Sequence, residues 1–177
     1  MTRSPSKPSS PTAEPRPPAG RFRPNVCAVL TEPATGRVLV FRRADGALGE
    51  NAWQFPQGGI QPGETARQAL RRELTEEIGT DRVEILRQAP APIRYEYPPE
   101  VAERLSRGNP EKQGYIGQEQ TWFLARLLDG ESSIRFEGPS SEFDRYRWAT
   151  PQEALNGVVA FKAEAYRTGL KALGLLE

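Results

Sequence analysis

The chain has 177 residues, 24 Lys and Arg against 23 Asp and Glu, one cysteine and no histidine. That length suits one domain with a sizeable core, and a formal charge of +1 gives no global basic field of the kind that coats nucleic acid. The missing histidine excludes imidazole acid/base chemistry and His-ligated zinc, so carboxylates must move any protons, and the lone Cys27 excludes an intramolecular disulfide.

Residues 1–20, MTRSPSKPSSPTAEPRPPAG, contain Met1 and no other large apolar side chain. They are expected to stay disordered, and they lack the continuous apolar stretch of a secretory leader. No run elsewhere approaches the length of a membrane span. Arg3, Lys7 and Arg16 against Glu14 carry the tail's charge, which leaves residues 21–177, assigned to a single folded domain, at about −1. Any RNA contact is therefore expected to be local, at one end of a strand.

Within the domain, NVCAVLTE and GRVLVFRR read as strands around a turn at Pro33-Ala34-Thr35-Gly36, with Cys27 a buried thiol in the apolar run. Trp53-Gln54-Phe55 reads as a short strand, both aromatics in the core, leading into a glycine loop and a helix. Val83 to Tyr97 and Tyr115 to Leu128 form the next expected strand pair, joined through a short helix near Glu100 to Leu105. Ser133 to Phe136 and Phe143 to Trp148 are expected to close the β part. Thr150 caps a helix with Pro151 in its first position, and a last helix spans about Phe161 to Leu173. The order predicts an α/β (α+β) fold in which a mixed sheet lies between helices.

The segment GGIQPGETARQALRRELTEEIG carries the chemistry. Thr65 and Gln68 form a capping box at the helix start. Glu73, Glu76 and Glu77 then fall within about 100° of one another, overlapping the apolar stripe of Ala66, Ala69, Leu70, Leu74 and Ile78. Like charges at the edge of a buried face raise one another's pKa unless a cation neutralises them. A hard divalent ion, Mg²⁺ above all, is the usual partner and usually comes with phosphates. A solvated acidic face paired with Arg71 and Arg72 is the blander reading, and it would leave the glycine loop and the register of Glu64 as coincidences.

The spacing of Gly58, Gly59, Gly63, Glu64, Arg72, Glu73, Leu74, Glu76, Glu77 and Gly79 resembles the Nudix box, with Thr80 where the family has an aliphatic residue. The resemblance implies a pyrophosphatase acting on a nucleoside diphosphate linked to another group, on the Nudix fold. FRPNVCAVL, WQFPQGGI, IGQEQTWFLARL, SEFDRYRW and VVAFKAEAY look like the bacterial RNA 5′-pyrophosphohydrolases and the similar dinucleoside polyphosphate hydrolases. That branch implies metal ligands at the Gly58 carbonyl, Glu73, Glu76, Glu77 and Glu142, with Mg²⁺, or alternatively Mn²⁺ or another divalent ion. Glu73 is favoured over Glu142 as the catalytic base. It implies phosphate contacts at Arg23, Arg43 and Lys162, and a first base stacked between Phe161 and Tyr95, while Gln57 orients the glycine loop. The expected substrate is an RNA 5′ end; diadenosine tetraphosphate and similar compounds are the alternative, and a non-catalytic nucleotide-binding module is a third. A cytoplasmic monomer acting on neither DNA nor membranes is expected. ADGALGENA, longer than the turn the branch carries, and the stretch Arg104 to Gly114 are variable loops.

Overall fold

The computed structural model describes residues 20–46, 49, 52–108, 113–137 and 141–177. The expected tail, apart from Gly20, lies outside the described residues, as do parts of both variable loops. In chain order the elements are β1 (Arg21–Glu32), β2 (Arg37–Arg43), β3 (Trp53–Gln54), β4 (Gln57–Gly59) and α1 (Ala66–Ile78). They continue with β5 (Val83–Gln88), β6 (Ile93–Glu96), α2 (Pro99–Gly108), β7 (Tyr115–Leu127), β8 (Phe143–Ala149), α3 (Pro151–Gly157) and α4 (Ala163–Ala172).

β1 is shared by two groups of strands. Its length from Arg21 to Leu30 runs parallel to β7, with Arg23 opposite Gln118 and Cys27 opposite Trp122. β4 pairs antiparallel with the middle of β1, Asn25 opposite Gly59 and Cys27 opposite Gln57. The last two residues, Thr31 and Glu32, pair with β2, which in turn carries β3 and β8. β5 and β6 lie along the other edge of β7.

Side chains alternate across a strand, and the core divides accordingly. Val26, Ala28, Leu30, Leu39, Phe41 and Phe123 face Ala69, Leu70, Leu74 and Ile78 of α1. Cys27, Val29, Val38, Val40 and Trp122 face Tyr166, Leu170 and Leu173 on the α4 side. The sheet therefore lies between helices, as expected, and Cys27 is fully buried. Phe55 stacks on Tyr166 with centroids 4.9 Å apart, whereas Trp53 is only half-buried under the guanidinium of Arg147.

Three expected elements differ. Ser133 to Phe136 is not a strand. A 3₁₀ turn over Glu131–Ser133 precedes it, the Ser132 and Ser133 hydroxyls donate back to the Asp129 and Gly130 carbonyls, and the backbone gains one bond from Arg135 N–H to the Ile78 carbonyl. Val83 to Tyr97 is two strands rather than one, because Pro90 and Pro92 lack the N–H that a continuous ladder needs. The last helix begins at Ala163, and Phe161 sits in a 3₁₀ turn over Ala160–Lys162.

Gly169 shows how tightly α4 is seated. A Cβ there would lie 2.5 Å from the ring of the fully buried Trp122. Gly169→Ala should gain about 1 kcal/mol of helix propensity but cost about 1–3 kcal/mol through overpacking. A melting temperature below wild type is expected by circular dichroism; an increase would mean that the helix can move off the sheet.

Candidate active site

α1 begins and ends as its sequence dictates. Thr65 Oγ1 accepts from Gln68 N–H, and Gln68 Oε1 accepts from Thr65 N–H at 2.9 Å. Gly79 closes the helix in the left-handed region at φ 77°. Between these caps the helix presents Arg72, Glu73 and Glu77 to the β4 loop.

Arg72 organises the near end of this face. Its Nε and Nη2 donate to the two oxygens of Glu64 at 2.7 and 2.9 Å, its Nη2 also to the Gly59 carbonyl at 2.8 Å, and its Nη1 to Glu73 at 2.7 Å. Glu64 in turn accepts from Gln61 N–H at 2.9 Å. The Arg72 guanidinium, followed by that backbone donor, holds the Glu64 carboxyl down at about 2. Glu76 lies at the exposed edge, 3.4 Å from Arg72.

Glu77 is 4% exposed. Its Oε2 accepts from Gln57 N–H at 3.0 Å, and its Oε1 has no hydrogen-bond partner among the described residues. Burial pushes its pKa well above the ordinary value; Glu142 and Glu73 add to the rise and the Gln57 amide opposes it. Glu73 is also raised, first by burial, against the opposing pull of Arg72. A Cβ on Gly58 would lie 1.8 Å from Glu73 Cδ, so only glycine lets the loop lie against this carboxylate. The structure thus gathers Glu73, Glu77 and Glu142 and leaves Glu76 outside. Among the described residues no three acidic groups already converge on one point. The unpartnered oxygen of Glu77 and the mutual repulsion of its neighbours nevertheless suit an oxygen-ligated divalent cation.

Glu73 and Glu142 open onto a cleft of about 510 Å³ whose wall also includes Arg23, Arg43, Tyr95, Phe161 and Lys162. Arg23 lies over Gly59, where a Cβ would come within 2.3 Å of its guanidinium. Arg43 is held by Asp45, with N–O distances of 3.0 and 2.6 Å, and by Glu142, so a phosphate would have to share it. Lys162 is buried, its Nζ 3.4 Å from Gln54 Oε1 and 5.8 Å from the Tyr95 ring centroid. Burial lowers its pKa to about 8.

The expected base sandwich does not form in this arrangement. Tyr95 is buried, donates to Gln118 Oε1 at 2.8 Å, and touches Phe161 with centroids 6.0 Å apart at 47°. Two tilted rings in contact leave no slot for a third. Phe161 is half-buried and Tyr97 is half-buried beside Tyr95, so of the described aromatic residues lining this cleft these two present an open face.

Sequence reasoning missed the amide floor of the cleft. Gln120 is fully buried, and its Nε2 lies 2.7 Å from Gln57 Oε1 and 2.9 Å from Asn25 Oδ1. The signal was present in β7, where Gln118 and Gln120 occupy the alternate positions that continue to Trp122, an inward face. A second cleft of about 430 Å³, lined by Thr31, Arg37, Arg126 and Trp148, lies at the other end of β1 and includes none of the expected site residues.

The NUDIX domain pattern matches residues 21–169. The chain belongs to the Nudix hydrolase family. It is 46% identical over 155 residues to an RNA pyrophosphohydrolase of Pseudomonas putida, covering 86% of this chain and 91% of that one. Among solved structures, a MutT protein of Methanosarcina mazei superposes with a TM-score of 0.59 at 16% identity, covering 90% of this chain and 97% of that one. A C. elegans Ap4A hydrolase does so with a TM-score of 0.57 at 18% identity, covering 86% and 98%. These two establish likeness of fold alone. Nudix hydrolases work with divalent metal ions, and no helix among the described residues is long and apolar enough to cross a membrane.

The Arg72–Glu64 pair makes a pH-dependent contribution. The Glu64 carboxyl is depressed in the folded state from its ordinary value of 4.5 to about 2, so its stabilisation is complete above about pH 4.5 and is lost as pH falls toward 2. The melting-temperature gap between wild type and Glu64→Gln should therefore be largest near neutral pH and narrow between pH 4.5 and 2.5. A gap that stays constant over that range would refute the pairing as the cause.

Proposed function

We propose that this protein removes pyrophosphate from the 5′-triphosphate end of RNA, leaving a 5′-monophosphate, with Mg²⁺ as the working ion and Mn²⁺ as a substitute. The observation that carries this reading is Glu77, a buried carboxylate with an unpartnered oxygen, set beside Glu73 and Glu142 at a cleft that also presents Arg23 and Lys162. Relatedness to RNA pyrophosphohydrolases along most of the chain supports the choice of substrate. The same reading takes the protein to be a cytoplasmic monomer with no DNA or membrane partner. It also takes residues 21–177 as the catalytic domain and 1–20 as a tail that adds nothing to its packing.

In this reading Glu73, Glu77, Glu142 and the Gly58 carbonyl hold the metal, with Glu76 closing the set from the helix edge. Bound there, divalent ions would lower the pKa of a coordinated water and neutralise charge on the bridging oxygens. Arg72 fixes Glu73 against the loop, while Gln57 N–H fixes Glu77. Glu73 takes the proton of the attacking water: it faces the cleft, and burial raises its proton affinity against the opposing bond from Arg72. Arg23 binds the phosphate chain as a fork. Lys162, whose pKa burial lowers to about 8, remains mostly protonated at neutral pH, and an anionic phosphate beside it would favour that charged form further. The open face of Phe161, rather than a Phe161–Tyr95 sandwich, receives the first base.

Asymmetric cleavage of dinucleoside polyphosphates is the second reading, because the same phosphate contacts and a single aromatic face would serve a nucleotide carrying a second nucleoside. Competition between triphosphorylated RNA and diadenosine tetraphosphate on one preparation decides between them: RNA should be consumed first. A non-catalytic binding module is disfavoured, since every box glutamate is present.

Glu77→Gln should lose at least ten-fold, and by the usual worth of a metal ligand far more, of the turnover at saturating Mg²⁺. Without metal its melting temperature should equal or exceed that of wild type, because a buried charge beside two other carboxylates is removed. Turnover within ten-fold of wild type would overturn the metal assignment.

Phe161→Ala should raise the Michaelis constant by the equivalent of about 1–3 kcal/mol of lost stacking and leave the Mg²⁺ dependence unchanged. A fall in melting temperature with an unaltered Michaelis constant would instead place this ring in the core.

A further inference from the structure

Several arginines on this surface face a carboxylate, among them Arg42, Arg43, Arg82, Arg94, Arg107 and Arg126. Arg21 and Arg23 both lie on β1, and no ion pair joins either to a described residue. Alternation along the strand puts them on one face, about 6.6 Å apart at 3.3 Å per residue. Arg23 lines the cleft, so Arg21 stands one step outside its mouth.

Arg21 is held by an aromatic ring instead of an acid. Its guanidinium carbon is 5.2 Å from the Tyr115 ring centroid, and its Nη2 donates to the Tyr115 hydroxyl at 3.3 Å. A bulge creates this pair. The β1–β7 register runs regularly from Phe22 opposite Gly117, then slips so that Arg21 meets Tyr115. Ile116, the skipped residue, is left exposed. In an unbroken ladder Arg21 would face Ile116, and Tyr115 would point to the opposite side. Bulges re-aim side chains at the ends of pairing, and here the result is an exposed cation lying over a ring, next in line from a phosphate-binding arginine.

We infer that the Arg21–Tyr115 pair is an exit platform for RNA, on which the chain beyond the first two nucleotides rests a base on the ring and a phosphate on the guanidinium. The inference rests on the RNA reading above and specifies it: the platform contributes only when the substrate continues past the second nucleotide. Single-stranded nucleic acid is bound by this combination of stacking and positive charge without demand for sequence. A dinucleoside polyphosphate has no polynucleotide chain to place there.

The test uses 5′-monophosphorylated oligoribonucleotides of two and eight residues, which are products and are not turned over. Their binding to wild type, Arg21→Glu, Arg21→Ala and Tyr115→Ala is measured by fluorescence anisotropy. Wild type should bind the longer RNA more tightly. Arg21→Glu should weaken that RNA by about five- to ten-fold and leave the dinucleotide unchanged. Arg21→Ala should lower the slope of log affinity against log salt by about 0.7, one phosphate contact on a single strand. The ratio kcat/KM for a triphosphorylated octamer should fall in parallel, with diadenosine tetraphosphate hydrolysis unaffected. Length-independent binding by wild type, or an octamer affinity indifferent to all three changes, overturns the platform. So does an equal loss on the dinucleotide and diadenosine tetraphosphate, which would mark a general structural defect. If wild type fails to hydrolyse triphosphorylated RNA at all, the substrate reading falls, and the anisotropy series still decides whether the platform binds RNA.

Discussion

The structure turns on keeping one carboxylate dry. Glu77 lies under the β4 loop with a single backbone donor on one oxygen and nothing on the other, an arrangement that a protein of ordinary stability can bear only because the group can be protonated or met by a cation. The surroundings serve that end. Gly58 and Gly59 bring the loop down onto Glu73 and Arg23, the pairing of β4 with β1 fixes the loop's height, and the apolar face of α1 prevents the helix from rotating its glutamates into water. Arg72 balances the charge without touching Glu77 itself, by drawing Glu64 and Glu73 to the near side.

Much of this was legible in the sequence because it is local. The capping box at Thr65 and Gln68, the left-handed stop at Gly79, the second box at Thr150 and Glu153, and the alternating apolar positions of β1 and β2 depend on neighbours within a few residues. The box spacing worked for the same reason: one loop and one helix carry nearly all the carboxylates. What a sequence does not show depends on residues far apart in the chain. Tyr95 and Phe161 lie 66 positions apart, and β6 pairing with β7 together with the turn before α4 presses the two rings together. Ser133 to Phe136 has the alternation of a strand, yet serine hydroxyls turn the backbone before it, and its one backbone bond runs from Arg135 N–H to the Ile78 carbonyl.

The amide floor illustrates the same limit from the other side. Asn25, Gln57, Gln118 and Gln120 come from three strands, and no spacing rule joins them. Glutamine in a strand is ordinarily a surface choice, so its meaning appears only when the partner strand is known. Once assembled, the network gives the cleft base a set of polar partners that apolar side chains would not supply.

The parallel pairing of β1 with β7 has a consequence for how the protein is made. Asn25 and Gln120, joined by a hydrogen bond, are 95 positions apart, and no hairpin can bring such strands together early. During synthesis β1 must wait, with its apolar residues exposed, until β7 has emerged. Lys162 follows later still, from beyond α3. The acidic helix can form long before the floor beneath it exists. A nascent or truncated chain would thus possess the metal-binding sequence without the cleft that gives it a purpose, and its vulnerable interval is the time during which β1 has β2 and β4 but not β7 beside it.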